Sequence, residues 1–78
     1  MAYSPEIIEE LNVLARYNLA SMQEGIKVHT SAAPEVIAAT KRLFDKGLLS
    51  QADGGYLTDR GIATAEHAQS VLQVLTSS

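Results

Sequence analysis

Four of the six basic residues of this chain, Lys27, Lys41, Arg42 and Lys46, fall within twenty positions of one another. Ammonium and guanidinium groups so grouped can neutralise phosphates, and an arginine can make paired hydrogen bonds to a guanine edge. Thr30 and Ser31, between the first two cations, add hydroxyls of the kind that hold a nucleic-acid backbone in register. Lys27, Thr30, Ser31, Lys41 and Arg42 are therefore the candidate binding residues. The simpler reading of Lys41 and Arg42 is a solvated helix face paired with Asp45, worth a few tenths of a kcal/mol.

Other chemistry finds little material. His29 and His67 stand far apart with no cysteine anywhere in the chain, so no metal site is expected. Glu66 adjoins His67, but neighbouring residues of a helix do not face each other. The serines show no G-x-S-x-G elbow, and Gly54-Gly55 belongs to a turn rather than a phosphate loop. The reading is of a non-enzyme without cofactor.

The elements that must carry these residues form one domain over 1–78. A chain of this length buries only roughly 60–65% of its unfolded surface, so its stability margin is thin. Without cysteine, reinforcement must come from helix packing or self-association. Hydrophobic residues make up 46% and charged residues 19%, a globular composition. There is no positively charged start leading into an apolar run, and no stretch approaches the roughly 20 apolar residues of a membrane span. A cytoplasmic location is the expectation.

Net charge is −3, which disfavours a polyanion as partner. The distribution is uneven. Residues 1–20 set Arg16 against three glutamates, and residues 48–78 set Arg60 against Asp53, Asp59 and Glu66. Only residues 21–47 are net positive, with four cations against Glu24, Glu35 and Asp45.

Ser4-Pro5-Glu6 reads as a helix start, with Ser as cap and Pro at the first helical position. Ile7, Ile8, Leu11, Leu14 and Ala15 follow helical spacing and predict one core face, leaving Glu6, Glu9, Glu10 and Arg16 in water. Ser21-x-x-Glu24 has capping-box form and favours a short helix over about 22–28, although "IKVHT" alternates like a strand. Pro34 opens a third helix over about 34–46, with Val36, Ile37, Thr40, Leu43 and Phe44 on the template and Gly47 as terminator.

A hairpin follows over about 48–58. Its leucines share a face only if Leu49 opposes Leu57, which implies a three-residue loop Ala52-Asp53-Gly54 with Gly54 left-handed. Thr58 then caps a last helix over about 59–75. Ile62, Ala65, Ala68, Leu72 and Leu75 form its stripe, and its second half outruns the core of so small a protein. Val71, Leu72, Val74 and Leu75 are candidates for a homodimer seam.

The order is mainly α with a small β-hairpin, and Arg42-Leu43, Lys46-Gly47-Leu48 and Tyr56-Leu57-Thr58…Gly61 carry a resemblance. They are similar to the "RLxxKGLL" and "YLTxxG" signatures of winged helix-turn-helix regulators. Over residues 5–75 the chain also resembles a small bacterial family of about this length, whose members are sometimes labelled DNA-binding proteins or regulators. The resemblance implies that the third helix is a recognition helix and the hairpin a wing. On a helical wheel Glu35, Ala38, Arg42 and Asp45 then lie outermost, with Lys41 on the flank. The wing carries Asp53 where a DNA-contacting wing has Arg or Lys. Binding of double-stranded DNA by a dimeric minor regulator is the favoured reading, and a protein-binding adaptor is the alternative.

Overall fold

The computed structural model describes residues 2–20 and 24–77. The chain is mainly helical with a small three-stranded antiparallel sheet. The order is α1 (Pro5–Leu14), β1 (Ile26–Lys27), α2 (Pro34–Asp45), β2 (Leu49–Gln51), β3 (Gly54–Leu57) and α3 (Asp59–Thr76). In the sheet, β3 lies between β1 and β2.

Local chemistry sets most ends. The Ile7 N–H donates to Ser4 Oγ at 3.2 Å, and Pro5 sits in the first turn. α2 begins at Pro34 with no side-chain cap and ends in a Schellman arrangement. There the Leu48 N–H reaches Leu43 O, the Gly47 N–H reaches Phe44 O, and Gly47 has φ +81°. Thr58 Oγ1 accepts from the Gly61 N–H at 3.0 Å and donates to Gly47 O at 2.7 Å. One hydroxyl thus starts α3 and ties it to the end of α2.

The predicted short helix over 22–28 is replaced, where it can be seen, by β1. Ile26 pairs with Gly55 and Lys27 with Gly54, and the Val28 N–H donates to Asp53 O at 2.8 Å. Ser21, Met22 and Gln23 of the expected capping box lie outside the described residues. Glu24, its other member, accepts from Asn18 Nδ2 at 3.0 Å instead. The open edge of β3 explains the change. Strand pairing satisfies backbone groups there and puts Ile26 and Val28 on the core side, with Lys27 exposed between them.

Leu49 does oppose Leu57, but Gln51 opposes Gly54. The extra residue therefore sits as a bulge within β3, not in the loop. Gly54 and Gly55 both take positive φ, +127° and +70°, and together they absorb the kink that keeps both leucines inward.

Val13, Leu14, Tyr17, Ala39, Leu43, Leu48, Leu49 and Ala65 form the core. Several predicted core residues are not in it. Ile7 and Ile8 are 39% and 46% exposed, and Ile37 and Phe44 are 38% and 40% exposed. Glu10, expected in water, is buried. The inward face of α1 and the turn after it is centred on Glu10, Val13, Leu14 and Tyr17, so Ile8 and Ala15 turn outward.

Gly61 is where α3 meets the chain leaving α2. A Cβ there would strike the Leu48 carbonyl oxygen and come within 3.0 Å of its carbon. In an open helix Gly→Ala stabilises by about 1 kcal/mol. Here Gly61→Ala is expected to destabilise by about 1–3 kcal/mol through overpacking. Urea denaturation checks the sign, and each kcal/mol corresponds to about 4–8 °C in Tm for a domain of this size.

Candidate functional site

Ala39, Thr40 and Leu43 are buried, and at 100° per residue this orientation turns Lys41 to the outside of α2. Ile37 and Phe44 flank it on one side, Ala38 and Asp45 on the other. The predicted wheel is therefore turned: Ala38 and Asp45 stay outward, while Arg42 moves to the flank and Lys41 moves out. α2 shows the outside a largely apolar face carrying one cation and one anion.

That face borders a shallow groove of about 220 Å³ between α2, the turn before it and the hairpin tip. Lys41, Ile37 and Thr40 line it from α2, Val28, His29 and Thr30 from the turn, and Ala52 and Asp53 from the hairpin. Of the candidate binding residues, Lys41 and Thr30 thus come together, and Ser31 is exposed beside Thr30. Lys27 is exposed but leaves β1 on the face opposite Ile26 and Val28, away from the groove. Asp53 faces the same opening as Lys41, so the groove carries both signs.

Arg42 is elsewhere. Its Nε donates to Glu10 Oε2 at 3.0 Å and its Nη2 donates to the Glu6 carbonyl at 3.1 Å. Lys46 Nζ donates to the other Glu10 oxygen, Oε1. Neither Lys41 nor Arg42 pairs with Asp45, since the ion pairs among the described residues are those of Glu10 with Arg42 and Lys46. The Glu10 side chain keeps only 8% of its exposure, while Arg42 and Lys46 keep 33% and 52%. These contacts join α1 to α2 and engage both cations with an acid of the chain itself. The sequence held a sign of them. Arg42 and Lys46 are like charges four apart on one helix flank, a repulsive spacing unless an acid lies between them.

Burial pushes the Glu10 carboxyl up, but the hydrogen bonds and charges of Lys46 and Arg42 outweigh that and hold it below its ordinary value of 4.5. A depressed carboxylate contributes stability above its unfolded pKa and loses that contribution as pH falls through the folded value.

Behind the site, Tyr17 Oη donates to Gly55 O at 3.1 Å and pins the bulge to α1. Burial pushes its hydroxyl up to about 12, so it stays a donor. Gln69 Nε2 donates to Tyr17 O at 2.9 Å and to Leu14 O at 3.3 Å, closing the end of α1 from α3. Reading by periodicity missed Glu10, Tyr17 and Gln69, because each acts across elements.

No group of three or more His, Asp or Glu among the described residues could hold a metal ion. No helix among them is long and apolar enough to cross a membrane. The candidate seam residues Val71, Leu72, Val74 and Leu75 are 56%, 50%, 69% and 77% exposed.

This small α-helical domain with a three-stranded sheet belongs to the Family of unknown function (DUF5669), whose model matches residues 1–76. No curated protein and no solved structure matches the chain.

The Glu10 pairing generates a paired expectation. Glu10→Gln should cost about 1.5–3 kcal/mol, the scale of hydrogen bonds to a charged group. Arg42→Glu should cost more, by setting like charges together. In wild type the urea midpoint should fall as pH drops below 4.5, and in Glu10→Gln that acid limb should flatten. An unchanged limb would remove Glu10 as its cause.

Proposed function

We propose that the chain is a winged-helix-type interaction module whose α2–hairpin face binds protein. In this reading α2 occupies the place of the recognition helix, β2–β3 forms the wing, and β1 with its turn stands where the first helix of a helix-turn-helix was expected. One observation carries the choice of partner: the outward face of α2 is apolar around Lys41, because Arg42 and Lys46 are spent on Glu10. Half-exposed Ile37 and Phe44 are the kind of surface that a protein partner covers, while a DNA-reading helix needs polar donors at base edges. Asp53 at the groove and a net charge of −3 act in the same direction.

DNA binding is the second reading, favoured by Lys41 and Thr30 on one groove and by the winged-helix signatures. It now rests on one or two free cations per chain, so the log–log salt slope would be only about −1 to −2.

Three variants separate the two readings. Wild type is titrated into a fluorescent random-sequence duplex at low and at physiological salt, and is also photo-crosslinked from position 38 in nuclease-treated extract. Protein binding predicts no salt-sensitive anisotropy change and a discrete protein crosslink that Ile37→Glu removes and Lys41→Glu largely spares. Salt-sensitive duplex binding that Lys41→Glu abolishes and Ile37→Ser leaves intact would replace this reading with the DNA one.

A further inference from the structure

Among the described residues, nothing buries the last two turns of α3. The buried residues of this helix are Gly61 and Ala65. Its last side-chain hydrogen bond to another element is made by Gln69, at the end of α1. Residues 70–77 are all exposed, and the helix from Ser70 to Thr76 projects by about 10 Å at 1.5 Å per residue. Within that stretch the helical angle gathers Val74, Val71, Leu75 and Leu72 into one arc about 160° wide. Ser70, Gln73 and Thr76 take the opposite side. An apolar arc of that width is what a core-facing helix shows, and here no core lies beneath it.

We infer that this arc is a homodimer interface, occupied by the same arc of a second copy. The charge pattern selects that occupant. Residues 67–78 contain no Asp, Glu, Lys or Arg, the longest such stretch in the chain, and it includes the exposed arc. In a two-fold interface the same patch serves both subunits, so a charge near the axis meets its own copy and repels it. A surface free of charge satisfies that condition. A surface shaped for a different protein selects its partner by complementary charge, and this arc offers none. A two-fold pairing also closes on itself, which limits assembly to two chains. The pairing supplies the apolar burial that so short a chain lacks. It lies apart from the α2–hairpin groove and does not depend on what that groove binds.

Light scattering after size exclusion, on the full chain, tests this directly. Wild type is expected at twice the 8.4 kDa chain mass. Val74→Glu with Leu75→Glu is expected at the single-chain mass, with its helical circular dichroism retained because both positions are exposed. The chain contains no cysteine, so Leu72→Cys reports contact without background and is expected to oxidise to a covalent dimer and no further. Wild type at the single-chain mass would overturn the inference and leave the arc to another protein. A double variant that stays dimeric, or wild-type assemblies that grow beyond two, would equally overturn it.

Discussion

The buried Glu10 carboxylate sets the geometry on which the rest of the molecule depends. An acid with 8% of its side chain exposed is tolerated only where its charge is matched and its oxygens are bonded. Arg42 and Lys46 do both, and they approach from one flank of α2. That requirement fixes the rotation of α2 about its axis. Once Arg42 and Lys46 face α1, Ala39 and Leu43 face the core and Lys41 faces outward. The surface offered by α2 to a partner is thus a consequence of a pairing on its other side.

A second set of contacts holds the hairpin to the helices. Tyr17 reaches the carbonyl of Gly55 within the bulge, and Gln69 reaches back to the carbonyl of Tyr17. The bulge, the end of α1 and the middle of α3 are therefore joined through one residue. Thr58 makes the corresponding joint at the other end, capping α3 while bonding to Gly47. These are single hydrogen bonds of modest net strength, each on the order of 1 kcal/mol. Their value lies in placing the hairpin tip beside α2, which is what creates the groove.

Functionally, the division of the cations matters more than their number. Four basic residues clustered in sequence read as one patch, yet the fold sends them in three directions: Lys41 to the groove, Lys27 to the opposite face of β1, and Arg42 with Lys46 to Glu10. What remains around Lys41 is apolar surface and two carboxylates. Exposed apolar residues stand around Ile37 and Phe44 on α2 and along Val71 to Leu75 on α3.

The starts of α1, α2 and α3 and the end of α2 were legible in the sequence, because Ser4, Pro5, Pro34, Gly47 and Thr58 act on backbone groups within a few residues of themselves. The opposition of Leu49 and Leu57 was legible too, since it follows from keeping both leucines on one face. Tertiary structure decided the rest. Local propensity around Ser21 and Glu24 favoured a helix, but the unpaired edge of β3 made Ile26-Lys27 a strand. The hairpin's extra residue could sit in the loop or in the strand, and in the fold it lies at the Gly55-Tyr56 bulge opposite Ser50, held by Tyr17. Helical spacing put Ile7, Ile8, Ile37 and Phe44 inside and Glu10 outside, because periodicity defines a face without saying which edge of it meets a neighbour. The burial of a charge depends on a counter-charge more than thirty residues away, and no local pattern contains that distance.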